Sequence, residues 1–82
     1  MDVQKALGNL KEIRNRLAPF RSYVPEAAQL DEIISALEAG NVQEGRERLT
    51  QFRKAMERYM SMAPERVKPL LDAVDSTLKE LE

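Results

Sequence analysis

The chain has 82 residues, with 13 Lys/Arg against 14 Asp/Glu for a net charge of −1, and neither cysteine nor histidine. That length makes one domain with a thin core, because only about 60% of the unfolded chain's surface can be buried at this size. The composition excludes disulfides, thiolate metal sites and an imidazole proton shuttle, and the near-neutral balance excludes strong non-specific attraction to nucleic acid.

Val3, Ala6, Leu10, Ile13 and Leu17 recur at alternating steps of three and four, which is one apolar face of a helix over about 2–18. Gly8 inside that span costs about 1 kcal/mol relative to Ala, which an unbroken buried face offsets. The competing signal, Asn9 with Glu12, would start the helix at residue 9. Pro19 ends the helix near Leu17 or Ala18, since proline lacks an amide hydrogen and biases the residue before it away from helical geometry. RSYVP, residues 21–25, is then a connector.

Pro25 suits the first turn of a second helix, where its missing donor is not needed; Ala27, Leu30, Ile33, Ile34 and Leu37 supply the buried face, and Gly40 stops it. Asn41 and Glu44 spell a capping box, so the turn at 40–41 is tight and helices two and three form an antiparallel hairpin. Val42, Gly45, Leu49, Phe52, Met56 and Tyr59 keep the period for five turns, making the third helix the longest. Val67, Leu70, Leu71, Val74, Leu78 and Leu81 form a fourth stripe, and Pro69 predicts a turn at 64–67 followed by a helix from about 68. The expected fold class is all-α, a small antiparallel four-helix bundle forming a single domain over 1–82.

Part of the chain is written twice. GNLKEIRNRLAPFR (8–21) aligns without a gap to GNVQEGRERLTQFR (40–53), with eight identities in fourteen positions, and Phe20 and Phe52 both fall on the apolar stripe. A gapped extension sets Pro25-Glu26 against Pro64-Glu65 and LDEIISAL (30–37) against LDAVDSTL (71–78), an internal repeat of 8–38 and 40–80 in which each half is a helical hairpin. Convergence of helix-rich composition is the competing account. Charge alternates with the helices: five Lys/Arg against two Asp/Glu in 1–21, none against four in 22–40, five against three in 41–60, and three against five in 61–82.

Catalysis needs a positioned base, nucleophile or metal, and without His or Cys the chain offers only the carboxylate groupings Asp31-Glu32 and Asp72 with Asp75. Bundle carboxylate metal sites add histidines, so these acids read as solvated flanks or partners for arginine. Three scattered glycines make no phosphate loop. No enzyme activity, catalytic residue, metal or cofactor is expected. No apolar run reaches the roughly 18–20 residues of a membrane span, and MDVQKALGNLKEIRNRL lacks an apolar signal core, so a cytoplasmic location with no membrane partner is expected.

Two surfaces remain as candidates. Arg14, Arg16, Arg21, Arg46, Arg48 and Arg53 flank the apolar stripes at duplicated positions. They read first as seam charges facing the acids of neighbouring helices, and otherwise as an anion or acidic-partner face. Met56, Tyr59, Met60 and Met62 lie in a stretch where twelve residues separate Phe52 from Pro64, against five from Phe20 to Pro25. A third helix overhanging the first would leave that flexible, polarizable cluster as a protein interface, unless the fourth helix folds over it. The function expected is a non-catalytic interaction or self-association module, its partner itself as a homodimer or another helical protein. A nucleic-acid-binding or antitoxin-like regulator using the arginine helices is the alternative, not favoured because exposed aromatics for base stacking are few.

Overall fold

The computed structural model describes Met1–Glu82, and four helices account for most of it: α1 (Val3–Leu17), α2 (Gln29–Glu38), α3 (Val42–Met56) and α4 (Pro64–Glu80). They run up, down, up and down. α2 packs on α3, α4 on α1, and α1/α2 and α3/α4 close a ring measuring 34 × 21 × 18 Å. The four apolar stripes meet on its axis, with Leu10, Ile13, Leu30, Ile33, Leu49, Phe52 and Val74 at or below 1% exposure. The all-α four-helix bundle read from the periodicity is the observed fold.

Asp2 caps α1, its Oδ1 accepting from the Lys5 amide at 3.0 Å, and α1 continues through Gly8 without interruption. The Asn9/Glu12 signal therefore starts nothing. α1 gives way at Pro19 to a 3-10 turn, Ala18–Phe20, and a second 3-10 turn over Pro25–Ala28 leads into α2.

The turn from α2 to α3 is as tight as expected, but a different device closes it. Gly40 takes φ +85°. The Gly40 amide donates to the Leu37 carbonyl at 3.1 Å and the Asn41 amide to that of Ala36 at 2.8 Å, the paired bonds that finish a helix through a left-handed residue. The Asn41 side chain makes no capping bond, and Glu44 accepts from Arg48 Nε at 3.1 Å instead of reaching back. Gly40→Ala is expected to cost about 1 kcal/mol, because only glycine holds that backbone without strain. Equilibrium urea denaturation checks it.

Two expectations about the second hairpin need correction. The longest helix is α4, with 17 residues against 15 in α3. It begins at Pro64, and Pro69 lies inside it. An interior proline forfeits one backbone bond, here to the Glu65 carbonyl, at a cost of about 3 kcal/mol, while the same turn buries Val67, Leu70 and Leu71 at about 1.5–3 kcal/mol each. Burial wins, and the helix runs through. α3 ends at Met56 and passes into a 3-10 turn, Glu57–Tyr59; it extends beyond the position aligned with the end of α1, as expected, but Met56 and Tyr59 at that end are buried and not left uncovered.

Candidate interaction surface

Four of the six arginines named from the sequence bridge helices. Arg14 Nη1 and Arg21 Nη2 converge from α1 and its 3-10 extension on Asp31 of α2, at 3.4 and 3.0 Å. Arg48 of α3 reaches Glu32 of α2 at 2.9 Å and Glu44 of its own helix at 3.1 Å. Arg53 grips Asp75 of α4 with two parallel bonds, Nε to Oδ1 at 2.6 Å and Nη2 to Oδ2 at 3.1 Å, and meets Glu57 at 3.5 Å. Arg16 stays on its own helix with Glu12 at 3.1 Å. Arg46 alone of the six has no ion pair. The carboxylate groupings are divided in the same way, since Asp75 is held by Arg53 and Asp72 by Lys68 at 3.6 Å.

These pairs are mostly half exposed, so each contributes little to stability, but together they fix which helix faces which. Asp31 sits below its ordinary pKa of 3.8, chiefly through the hydrogen bond from Arg21, which outweighs the opposing effect of desolvation, with Arg14 lowering it further. A carboxyl depressed in the fold stabilises above its unfolded pKa, and that contribution is lost as pH falls through the lower folded value. Asp31→Asn is therefore expected to flatten the acid limb of stability below the ordinary carboxylate range and to leave the neutral-to-alkaline dependence unchanged. Thermal melts across pH measure it.

At the end carrying the α1–α2 and α3–α4 connectors, the structure builds a buried polar clasp. Tyr59 Oη donates to Glu26 Oε1 at 2.7 Å, Arg58 Nη2 donates to Tyr59 Oη at 2.7 Å, and Arg58 Nε lies 3.3 Å from Glu26 Oε2. The Arg58 guanidinium stacks over the Tyr59 ring, 4.8 Å from its centroid. Glu26 is 8% exposed, one of only two buried polar or charged residues. Burial, and then the bond to Glu26, raise the Tyr59 phenol above its ordinary pKa of 10.0.

The methionine–tyrosine cluster expected as an interface is divided. Met56 and Tyr59 are buried, Tyr59 being held on Glu26 by its hydroxyl, and both line the inner side of the groove described next. Met60 is half buried against the core, and Met62 is 76% exposed. An apolar groove of about 640 Å³ opens beside Met62, between the end of α1 and the first turns of α4. Leu17, Val67 and Leu70 form its floor, Phe20, Tyr23 and Met62 its walls, and Arg16, Glu65 and Arg66 its charged rim. Phe20 is 36% exposed and Tyr23 79%, and the Arg66 guanidinium sits 5.2 Å from the Phe20 ring centroid.

The repeat alignment puts Phe20 on the buried stripe beside Phe52, and the periodicity leaves Tyr23 as a connector residue without a role; the structure gives both to the groove. The signal for both lies in Pro19 and Pro25, which interrupt the α-helical period between α1 and α2, so that neither ring is carried on a buried α-helical stripe. No helix is long and apolar enough to cross a membrane. Comparison with protein-family models, with curated proteins and with solved structures found no match.

Proposed function

We propose that this chain is a non-catalytic interaction module that takes up the apolar surface of a protein helix in the groove between the end of α1 and the start of α4. The observation that carries this is the placement of three exposed large apolar side chains, Phe20, Tyr23 and Met62, around one concave apolar surface at the connector end, where an 82-residue bundle has little apolar area to spare. The carboxylates that could have served chemistry are held by arginines: Asp31 by Arg14 and Arg21, Asp75 by Arg53, and Glu26 by Arg58. The arginine face that nucleic acid would require is largely spent on these acids, which favours the protein partner.

The test uses anilinonaphthalene sulfonate, an anionic aromatic dye, as a probe of the groove. Native protein is expected to enhance its fluorescence, and Phe20→Asp to abolish the enhancement while near-ultraviolet circular dichroism keeps its native form. Dye uptake indifferent to Phe20→Asp would move the docking face elsewhere, and no uptake by the native protein would remove the reading.

A further inference from the structure

We infer that the occupant of this groove is a second copy of the chain, related to the first by a two-fold axis, with Glu65 of each copy opposite Arg66 of the other. The inference rests on the docking reading of the groove and adds the identity of the partner. Its starting point is the distribution of charge that the fold leaves unspent. Across the bundle, most carboxylates and cations are tied to one another within and between helices, and at the groove Arg16 is already bound to Glu12. Only Glu65 and Arg66, consecutive in the first turn of α4, reach the rim without an ion pair; Arg66 has only the Phe20 ring beneath it.

One free acid beside one free base selects neither an acidic nor a basic partner. It is self-complementary, because a two-fold operation brings residue i of one copy to residue j of the other and j to i at the same time. Between the two charge pairs the same operation seats Phe20, Tyr23 and Met62 of each copy over the groove of the other, so that the exposed apolar surface is closed on both. Tyrosine, phenylalanine and methionine are the residue types enriched at the centre of such contacts, where they bring large area with few torsions to freeze.

Size sets the strength. A standard interface takes about 800 Å² from each partner, roughly a sixth of the 5120 Å² this chain exposes. The connector end of a bundle 21 × 18 Å in section, with the adjoining groove, falls short of that. A contact of this size belongs to the small, transient class, so the dimer is expected to fall apart on dilution.

The experiment is sedimentation velocity of the full chain over a wide concentration range, with three samples: wild type, E65R and R66E. Wild type is expected to pass from monomer to dimer. Each variant puts like charges face to face and is expected to weaken association by about tenfold or more. An equimolar mixture of the two restores it, because the adjacent pair of arginines on the E65R chain then meets the adjacent pair of glutamates on the R66E chain.

Wild type that stays monomeric throughout overturns the inference, and so does a dimer that neither variant weakens. Weakening by both variants without rescue in the mixture overturns the reciprocal pairing. If wild type is monomeric and the dye is still lost with Phe20→Asp, the groove remains a docking site for a different helix. If the dye is not taken up either, the functional reading falls with the inference.

Discussion

Phe52→Ala is expected to lower the stability of the bundle by about 3–5 kcal/mol, while Phe20→Ala, the aligned position just past the end of α1, lowers it by about 1–2 kcal/mol. The two phenylalanines occupy matching places in GNLKEIRNRLAPFR and GNVQEGRERLTQFR, yet Phe52 is fully buried and Phe20 is 36% exposed. α3 continues a full turn past Phe52, to Met56, so that ring is carried on a helix face aimed at the axis. α1 ends three residues before Phe20, and the 3-10 turn that follows directs the ring to the groove. Truncating Phe52 opens a cavity that its neighbours fill only in part, whereas truncating Phe20 leaves a gap that is open to water and removes a side chain already 36% exposed. Urea denaturation at dilute protein concentration, with the slope checked for constancy, separates them. Equal losses would mean that Phe20 is covered in the monomer.

Tyr59→Phe is expected to cost about 1–3 kcal/mol at neutral pH, because it removes the donor to a Glu26 carboxylate that is 8% exposed. Arg58 remains beside Glu26, which keeps the loss well below that of an orphaned buried charge. The same substitution carries a pH signature. With the phenol raised in the fold, its contribution is complete below the ordinary value of 10.0 and is lost as pH rises from there through the folded value, since the unfolded chain then gives up a proton the folded one retains. Wild type should therefore lose stability on the alkaline side, and Tyr59→Phe should lose less. Tyr23→Phe is the control, since Tyr23 is 79% exposed and makes no hydrogen bond through its hydroxyl. Urea melts of the three proteins at neutral pH and above the phenol range decide it. An alkaline slope unchanged by Tyr59→Phe would mean that the clasp does not form.

The bundle was legible because its core is built from residues whose period states their direction. Leu10, Ile13 and Leu17, Leu30, Ile33 and Leu37, and Leu49, Phe52 and Met56 all repeat at three and four, and all are buried. The exceptions have local causes. Thr77 is fully buried although polar, because its hydroxyl returns a bond to the Ala73 carbonyl at 2.8 Å within its own helix. Pro69 has the chemistry of a boundary, but the apolar residues around it outweigh one missing amide.

The groove was the harder part. Its walls come from two connectors far apart in the chain, and what exposes Phe20 and Met62 is the point at which α1 and α3 unwind into 3-10 turns. Those points shift by a few residues with tertiary packing, whereas a stripe of leucines does not. The clasp was hidden for a related reason: nothing near Glu26 in the sequence announces a tyrosine 33 residues later. The seam arginines were readable in kind, from alternating charge, and which acid each one takes depends on the rotation of the helices.

The Asp2 amide donates to the Glu80 carbonyl at 2.7 Å, so the ring of helices that is open along the chain is closed in space. Topologically the four helices are a loop with a nick, and their packing does not depend on where along the loop the nick falls. A circular permutant joined across Asp2 and Glu80 and reopened at residues 39–41 would keep both connectors, the clasp and the groove. Reopened at 21–24 it would keep the four helices and their core while cutting through the wall that holds Tyr23. The three loops are thus unequal, one a replaceable hinge and two the parts that carry the clasp and the groove.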